Sequence, residues 1–279
     1  ILSNGFKSLL EKKLEPIGFT WFDTGTLENY IETNKNLSGA EKKFDFSKGN
    51  EFLYFVNGKV IKYFSDSNIT RQRCERAEIL KALSPKIDMS SAHFYSYLKL
   101  DGQVLYNILN NQVFSQFLNW ISKNLWVKQK LNDSKKEKFY KACKSFYYDK
   151  TIKRLDMFYN KTGVVDCKNQ INGIEVTDLK QMFSKIDWEL FYNGIPTTIH
   201  GDLQFDNILV QTAVNDKFEK FKLLDWRQNF GGLIESGDLY YDLSKLYGGM
   251  VLSYQLIKDG KFSFEMSGNN VYYNYMIKN

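Results

Sequence analysis

Cysteine, histidine, proline and arginine are all scarce in this chain, and each shortage closes a route to function. Three cysteines, Cys74, Cys143 and Cys167, are odd in number and far apart, which supports neither a disulfide framework nor a metal cluster. Two histidines, His93 and His200, leave no set for a histidine-based zinc site. Three prolines supply no Pro-rich linker between independent domains. No apolar run approaches the ~20 residues that cross a bilayer and no signal peptide is visible, so a cytoplasmic protein without a membrane partner is expected. Only five of the 38 basic residues are arginine (Arg71, Arg73, Arg76, Arg154, Arg227). The net charge of +6 is carried by lysines spread among acids, as in Ser134-Lys135-Lys136-Glu137-Lys138. Base readout leans on arginine and on clustering, so no nucleic-acid partner is expected; attraction for a small anion is what such a surface offers.

What is plentiful is aromatic: 22 Phe, 18 Tyr and 5 Trp in 279 residues, enough to build a sizeable core. Lys43-Phe44-Asp45-Phe46 alternates, Ser47-Lys48-Gly49-Asn50 turns, and Glu51 to Val56 is β-prone. Asn57-Gly58 is a hairpin dipeptide, and Lys59 to Phe64 follows as a strand. Ser67 or Asn68 can cap a helix reaching about Leu83, with Cys74, Ala77, Leu80 and Leu83 on one face, before Ser84-Pro85 ends it. His93 to Leu100 is another apolar run. Helical spacing dominates Val104 to Trp126, Lys135 to Tyr159 and Asp178 to Tyr192. Ile199 to Gln211 and Phe221 to Trp226 read as short strands around a turn at Asn215-Asp216, and a helix begins near Asp238. The oligomeric state is not legible.

The densest chemistry lies in His200-Gly201-Asp202-Leu203-Gln204-Phe205-Asp206-Asn207, followed eighteen residues past Asn207 by Leu223-Leu224-Asp225-Trp226. This resembles the aminoglycoside phosphotransferase and choline kinase superfamily, small-molecule relatives of the protein kinases. The resemblance covers residues 43 to about 250. It implies an α+β, two-lobed protein-kinase-like fold with a small β-rich N-lobe (40–98) containing one helix and a larger, mostly helical C-lobe (99–279). It also implies ATP and Mg²⁺ as cofactors. Phosphoryl transfer asks for a positioned hydroxyl and neutralised phosphate charge. Asp202 would orient the attacking hydroxyl as general base, while Asn207 and Asp225 would hold the metal through hard oxygen ligands.

Lys62, in Val60-Ile61-Lys62, resembles the strand lysine that contacts the α- and β-phosphates; its partner would be Glu78, with Glu75 the alternative. Ser96, Tyr97 and Leu98 resemble the hinge that bonds the purine, and Leu209 and Leu224 would floor the adenine site. No glycine-rich loop is present, and Ser47 to Asn50 is the segment left to cover the phosphates. Gln204 stands where protein kinases place a lysine, so positive charge is expected from Mg²⁺ and Lys62. Gly237-Asp238-Leu239-Tyr240-Tyr241-Asp242-Leu243 matches a family segment in which Asp242 accepts backbone N–H bonds and His200 orients the loop. Arg227 could reach a phosphate or an acidic substrate, or simply pack.

Residues 1–39 read differently. Trp21-Phe22-Asp23-Thr24-Gly25-Thr26-Leu27-Glu28-Asn29-Tyr30 is similar to the ending of sugar-phosphate nucleotidyltransferases, or is a turn followed by a short amphipathic helix. With Ile1 in first place, the chain reads as starting inside a longer one. The expected activity is transfer of the γ-phosphate of ATP to a hydroxyl of a small acceptor. That acceptor would be a sugar or amino alcohol, in surface-polysaccharide precursor synthesis if the tail resemblance holds. The alternatives are a choline or ethanolamine kinase and, from another class, an inactive nucleotide-binding scaffold.

Overall fold

Alternating side chains and one tight turn build the first sheet. A computed structural model describes residues 50–211, 220–252, 256–257 and 259–275. The chain divides between Lys42 and Lys43, and every described residue belongs to the second part. The readings of residues 1–39, of Lys43 to Phe46, of Ser47 to Gly49 and of the Asn215-Asp216 turn lie outside the described residues.

Strands β1 (Glu51–Val56) and β2 (Lys59–Phe64) pair antiparallel around Asn57-Gly58. Both turn residues have positive φ, 50° and 72°, the left-handed pair that a two-residue hairpin requires. Helix α1 (Ser67–Leu80) is capped by Asp66, whose side chain accepts from the Asn68 N–H. The acid one residue before the expected caps wins because it is placed to meet that early N–H. Strands β3 (Ile87–Ser90) and β4 (Phe94–Leu98) complete an antiparallel sheet of order β1-β2-β4-β3. Strand β3 carries no sequence signal beyond Ile87.

The remainder mixes helices with three small sheets. Strand β5 (Gln103–Val104) leads into helices α2 (Leu105–Ile108) and α3 (Asn111–Asn124), the latter capped by Asn110. Helix α4 (Asp133–Lys144) runs through a π-helical turn, Ser145–Asp149, into α5 (Lys150–Thr162). A hairpin of β6 (Asn169–Ile171) and β7 (Ile174–Val176) precedes α6 (Leu179–Ser184) and α7 (Trp188–Tyr192). Strands β8 (Pro196–Thr197), β9 (Ile208–Val210), β10 (Phe221–Leu223) and β11 (Gly237–Asp238) frame the motif region, and α8 (Leu239–Val251) follows, capped by Asp238. Strands β12 (Phe262–Ser267) and β13 (Asn270–Tyr275) close the described chain.

Among the described residues of the second region helix outweighs strand, and β12-β13-β6-β7 add a four-stranded sheet that the sequence pattern does not announce. The long helical runs are also interrupted, at Leu109-Asn110, at the π-helical turn and at Lys185 to Asp187. Asn110 and Asp187 accept backbone N–H groups of the following helix, so each restarts a helix where a continuous pattern had been read.

One core joins the first sheet to the motif region. Val60 and Phe64 of β2 and Tyr95 of β4 cluster with Phe117 and Ile121 of α3 and with Leu203, Ile208, Leu223 and Trp226. Phe64 stacks on Tyr95 at 5.8 Å, and Tyr95 on Trp226 at 6.0 Å. This aromatic column holds the segment after β10 against the sheet. A second cluster gathers Phe139, Cys143 and Phe146 with Ile199 and Phe230.

Candidate active site

Lys62 points inward because of its neighbours. In β2, Val60, Lys62 and Phe64 share the buried face, and the two apolar residues fix that register. The ammonium meets the Asp225 carboxylate at 2.5 Å, across 163 residues of sequence. Arg73, on the buried face of α1, donates to the same oxygen at 2.5 Å. Asp225 thus answers two buried cations while its own side chain stays 43% exposed. Burial pulls the Lys62 pKa down; the Asp225 charge opposes that, and the result is below the ordinary value. Burial would raise Asp225, but Lys62 and Arg73 dominate and hold its carboxyl far below the usual range.

Asp225 has φ 55°, a conformation that costs a non-glycine residue roughly 1 kcal/mol. Three bonds on its flanks hold it there. The Leu224 N–H donates to the Asn207 carbonyl at 2.7 Å, and the Arg227 N–H donates to the His200 carbonyl at 3.1 Å. The Trp226 indole N–H donates to the Arg73 carbonyl at 2.8 Å. The motif around Asp202 and the acid eighteen residues past Asn207 are therefore stitched together backbone to backbone.

Within the motif, the Asn207 amide NH₂ donates to the Asp202 carbonyl at 2.8 Å, closing the loop and leaving the amide oxygen on its other side. Asp202, one-third exposed, pairs with the Lys245 ammonium at 2.9 Å and accepts from the Gln204 amide at 3.3 Å. Burial would lower Lys245, but the bond to Asp202 outweighs it and its pKa is raised.

His200 and Asp242 support this loop from below, both fully buried. Asp242 accepts the backbone N–H groups of His200 and Gly201, each at 2.8 Å, and the Trp126 indole N–H at 3.1 Å. The Asp202 N–H donates to His200 Nδ1 at 3.3 Å, which leaves Nε2 to carry the proton donated to the Leu224 carbonyl at 2.9 Å. Burial pushes His200 down to about 4, so the ring is neutral and this tautomer is consistent. Burial likewise raises Asp242 to about 6 against those N–H bonds. Both supporting roles read from the motif are seen in these contacts.

Several expected residues are placed elsewhere. Glu78 is exposed and lines a surface cavity with Lys81 and Lys222, and Glu75 pairs with Arg71 at 2.5 Å. The face of α1 that meets Lys62 carries Thr70, Arg73 and Arg76, so an arginine sharing Asp225 replaces the expected glutamate. Ser96 and Tyr97 pair with Ile61 and Val60 of β2 on one side and with Met89 and Ile87 of β3 on the other. A central strand spends its backbone groups in the ladder, so those of Ser96 and Tyr97 are already engaged. Leu98, 62% exposed, ends the strand, and a short connection runs on to β5. There Gly102 crosses β9 so closely that a Cβ would lie 2.6 Å from the Val210 carbonyl oxygen and 3.0 Å from Leu209 Cγ. Leu209 is buried in β9, and the half-buried Leu224 links Asn207 to Asp225.

Residues missed by sequence reasoning are mostly cations. Arg73 reads as a surface helix residue, and Lys245, 43 positions after Asp202, gives no local signal. Arg76 donates to the carbonyls of Ile234 and Ile199 and so braces the strand entering the motif. Beside the neutral Gln204, Lys245 brings a positive charge to Asp202 that the sequence pattern does not announce.

No protein-family model matches the chain, and no curated protein matches it. Among solved structures it is similar to the streptomycin–ATP–APH(2")-IIa ternary complex, at a TM-score of 0.41 and 17% identity, covering 80% of this chain and 75% of that one. The gentamicin–APH(2")-IIa complex follows at 0.39 and 17%, covering 80% and 74%. Among the described residues no helix is long and apolar enough to cross a membrane.

Proposed function

We propose that this protein is an ATP- and magnesium-dependent kinase that phosphorylates a hydroxyl of a small metabolite, with a two-lobed protein-kinase-like arrangement. In this reading residues 40–98 form the nucleotide-binding lobe and 99–279 the catalytic and acceptor-binding lobe. The observation that carries it is the meeting of Lys62 and Asp225 at 2.5 Å, with Asp225 tied through Leu224 to the loop of Asp202 and Asn207. The left-handed backbone at Asp225 and its partly exposed side chain support this reading over a purely structural ion pair.

The donor set suits a hard cation. Asp225 offers a charged oxygen and Asn207 an amide oxygen, on two segments bonded to each other. When bound, Mg²⁺-ATP supplies the transferable phosphoryl group and neutralises its charge. Lys62 and Arg73 hold the Asp225 carboxylate in position and add positive charge beside it. Asp202 accepts the proton of the acceptor hydroxyl, and Lys245 fixes the carboxylate that does so.

Replacing Asp202 with Ala should lower kcat by roughly 10²–10⁴ while leaving ATP binding nearly intact. The assay is Mg²⁺-dependent consumption of ATP against a panel of sugars and amino alcohols. An unchanged rate in the variant removes Asp202 from its role. ATP bound by the wild type but never turned over would leave an inactive nucleotide-binding scaffold.

A further inference from the structure

Three cations from three elements converge on one pair of rings beside Asp202. Phe146, in the π-helical turn, and Tyr241, in α8, meet edge to face at 4.7 Å. Lys150 Nζ lies 3.8 Å from the Phe146 ring centre. Arg227 Cζ lies 5.1 Å from Phe146 and 5.7 Å from Tyr241. Lys245 Nζ lies 5.6 Å from Tyr241 and reaches on to Asp202 at 2.9 Å. The π-helical turn places its extra residue immediately before Lys150, and such bulges recur at functional sites because they re-aim the side chains that follow.

Among the described residues neither Lys150 nor Arg227 meets a carboxylate within ion-pair distance, and Arg227 Nε is buried without a hydrogen-bond partner. Aromatic faces are worth about 0.5–1 kcal/mol per cation, a weak answer to like charges held this close. Arg154, one turn further along α5, adds a fourth positive charge, and Asp202 supplies the opposing one. Burial first, then Arg227, Arg154 and Lys245, push Lys150 down to about 7. The assembly beside Asp202 is short of negative charge.

We propose that the acceptor is an anion, a metabolite carrying a phosphate or carboxylate near its accepting hydroxyl, and that Lys150 and Arg227 bind that group. This rests on the kinase reading and narrows its acceptor. A choline, ethanolamine or polyamine head would bring further positive charge to a site already crowded with it, and is disfavoured.

The test uses the full chain with Mg²⁺ and a non-hydrolysable ATP analogue, with binding of inorganic phosphate, glucose 1-phosphate, glucuronate and glucose measured by calorimetry. At least one of the anions should bind where glucose does not, and the phosphate and carboxylate arms tell the two groups apart. Lys150→Ala should weaken that anion at least about tenfold, with the analogue's affinity unchanged, and Lys150→Arg should restore most of the loss. No anion binding more tightly than glucose, or a variant that weakens the nucleotide in place of the anion, overturns the inference. Failure of the wild type to bind the ATP analogue would show in the first titration and would overturn the kinase reading and this inference together.

Discussion

His200 and Asp242 titrate in opposite senses beneath the motif loop, and Asp242→Asn should expose the imbalance. His200, held neutral, has its pKa moved by burial from 6.5 to about 4. The unfolded chain protonates it below 6.5 and the folded protein does not, so its contribution is complete above 6.5 and is lost as pH falls toward 4. Burial moves Asp242 from 3.8 up to about 6. Here the folded protein takes up the proton first, so stability is gained as pH falls from 6 toward 3.8. At about 1.36 kcal/mol for each pH unit, both contributions come to roughly 3 kcal/mol and nearly cancel.

Asparagine keeps the shape but does not titrate, and it presents an NH₂ where one backbone N–H now finds an oxygen. Besides a constant loss of roughly 1–3 kcal/mol from that lost bond, the variant should fall further behind wild type as pH drops. Between pH 7 and pH 4 the gap should widen by about 2–3 kcal/mol, because the gain from Asp242 is gone and the loss from His200 remains. Carboxylates elsewhere act equally in both proteins and drop out of the difference. Urea denaturation at pH 7, 5.5 and 4 measures it. Parallel profiles for the two proteins would refute the opposed titration.

Asp225→Asn keeps the left-handed backbone at φ 55° but leaves the buried Lys62 and Arg73 without their shared counter-ion, so it should lose stability in urea denaturation as well as most Mg²⁺-dependent phosphate transfer; retained activity would take Asp225 out of the metal site. Gly201→Ala adds a Cβ 2.8 Å from Arg227 Cβ at φ +83°, and should cost about 1–2 kcal/mol, a Tm decrease of roughly 2–8 °C by calorimetry. An unshifted Tm would show that the close approach at Gly201 is not strained.

What the sequence made legible was local. The Asn57-Gly58 hairpin, strands β1 and β2, and the helix after Asp238 follow from turn chemistry and periodicity, and they appear where expected. The meeting of Lys62 with Asp225 also follows, once the strand and motif are taken together. The second cation on Asp225 did not follow. Helical spacing marks Cys74, Ala77, Leu80 and Leu83 as the inner face, and an arginine among them looks like a surface residue by type. Arg73 and Arg76 are nonetheless buried, because one finds the Asp225 carboxylate and the other two backbone carbonyls. Those acceptors lie more than 120 residues away in sequence, so nothing near position 73 could announce them. The pairing of the segment read as a hinge was not legible for a related reason. Ser96 and Tyr97 look like an exit strand until β3, four residues long and mostly exposed, is known to pair outside them.

The arginine in place of a glutamate also changes how charge is balanced at the site. Here Asp225 is the shared counter-ion of Lys62 and Arg73, so a divalent cation approaching it joins two charges already in place. Attraction between Asp225 and the metal is then partly offset by repulsion from the two cations, and the phosphates of the nucleotide become the groups that can satisfy all three. Metal and nucleotide should therefore enter together, with Mg²⁺ alone binding weakly. Beside Asp202, the cations around Phe146 and Tyr241 pose the same imbalance with no nucleotide phosphate assigned to them, which is why the acceptor is the molecule proposed to bring the missing charge.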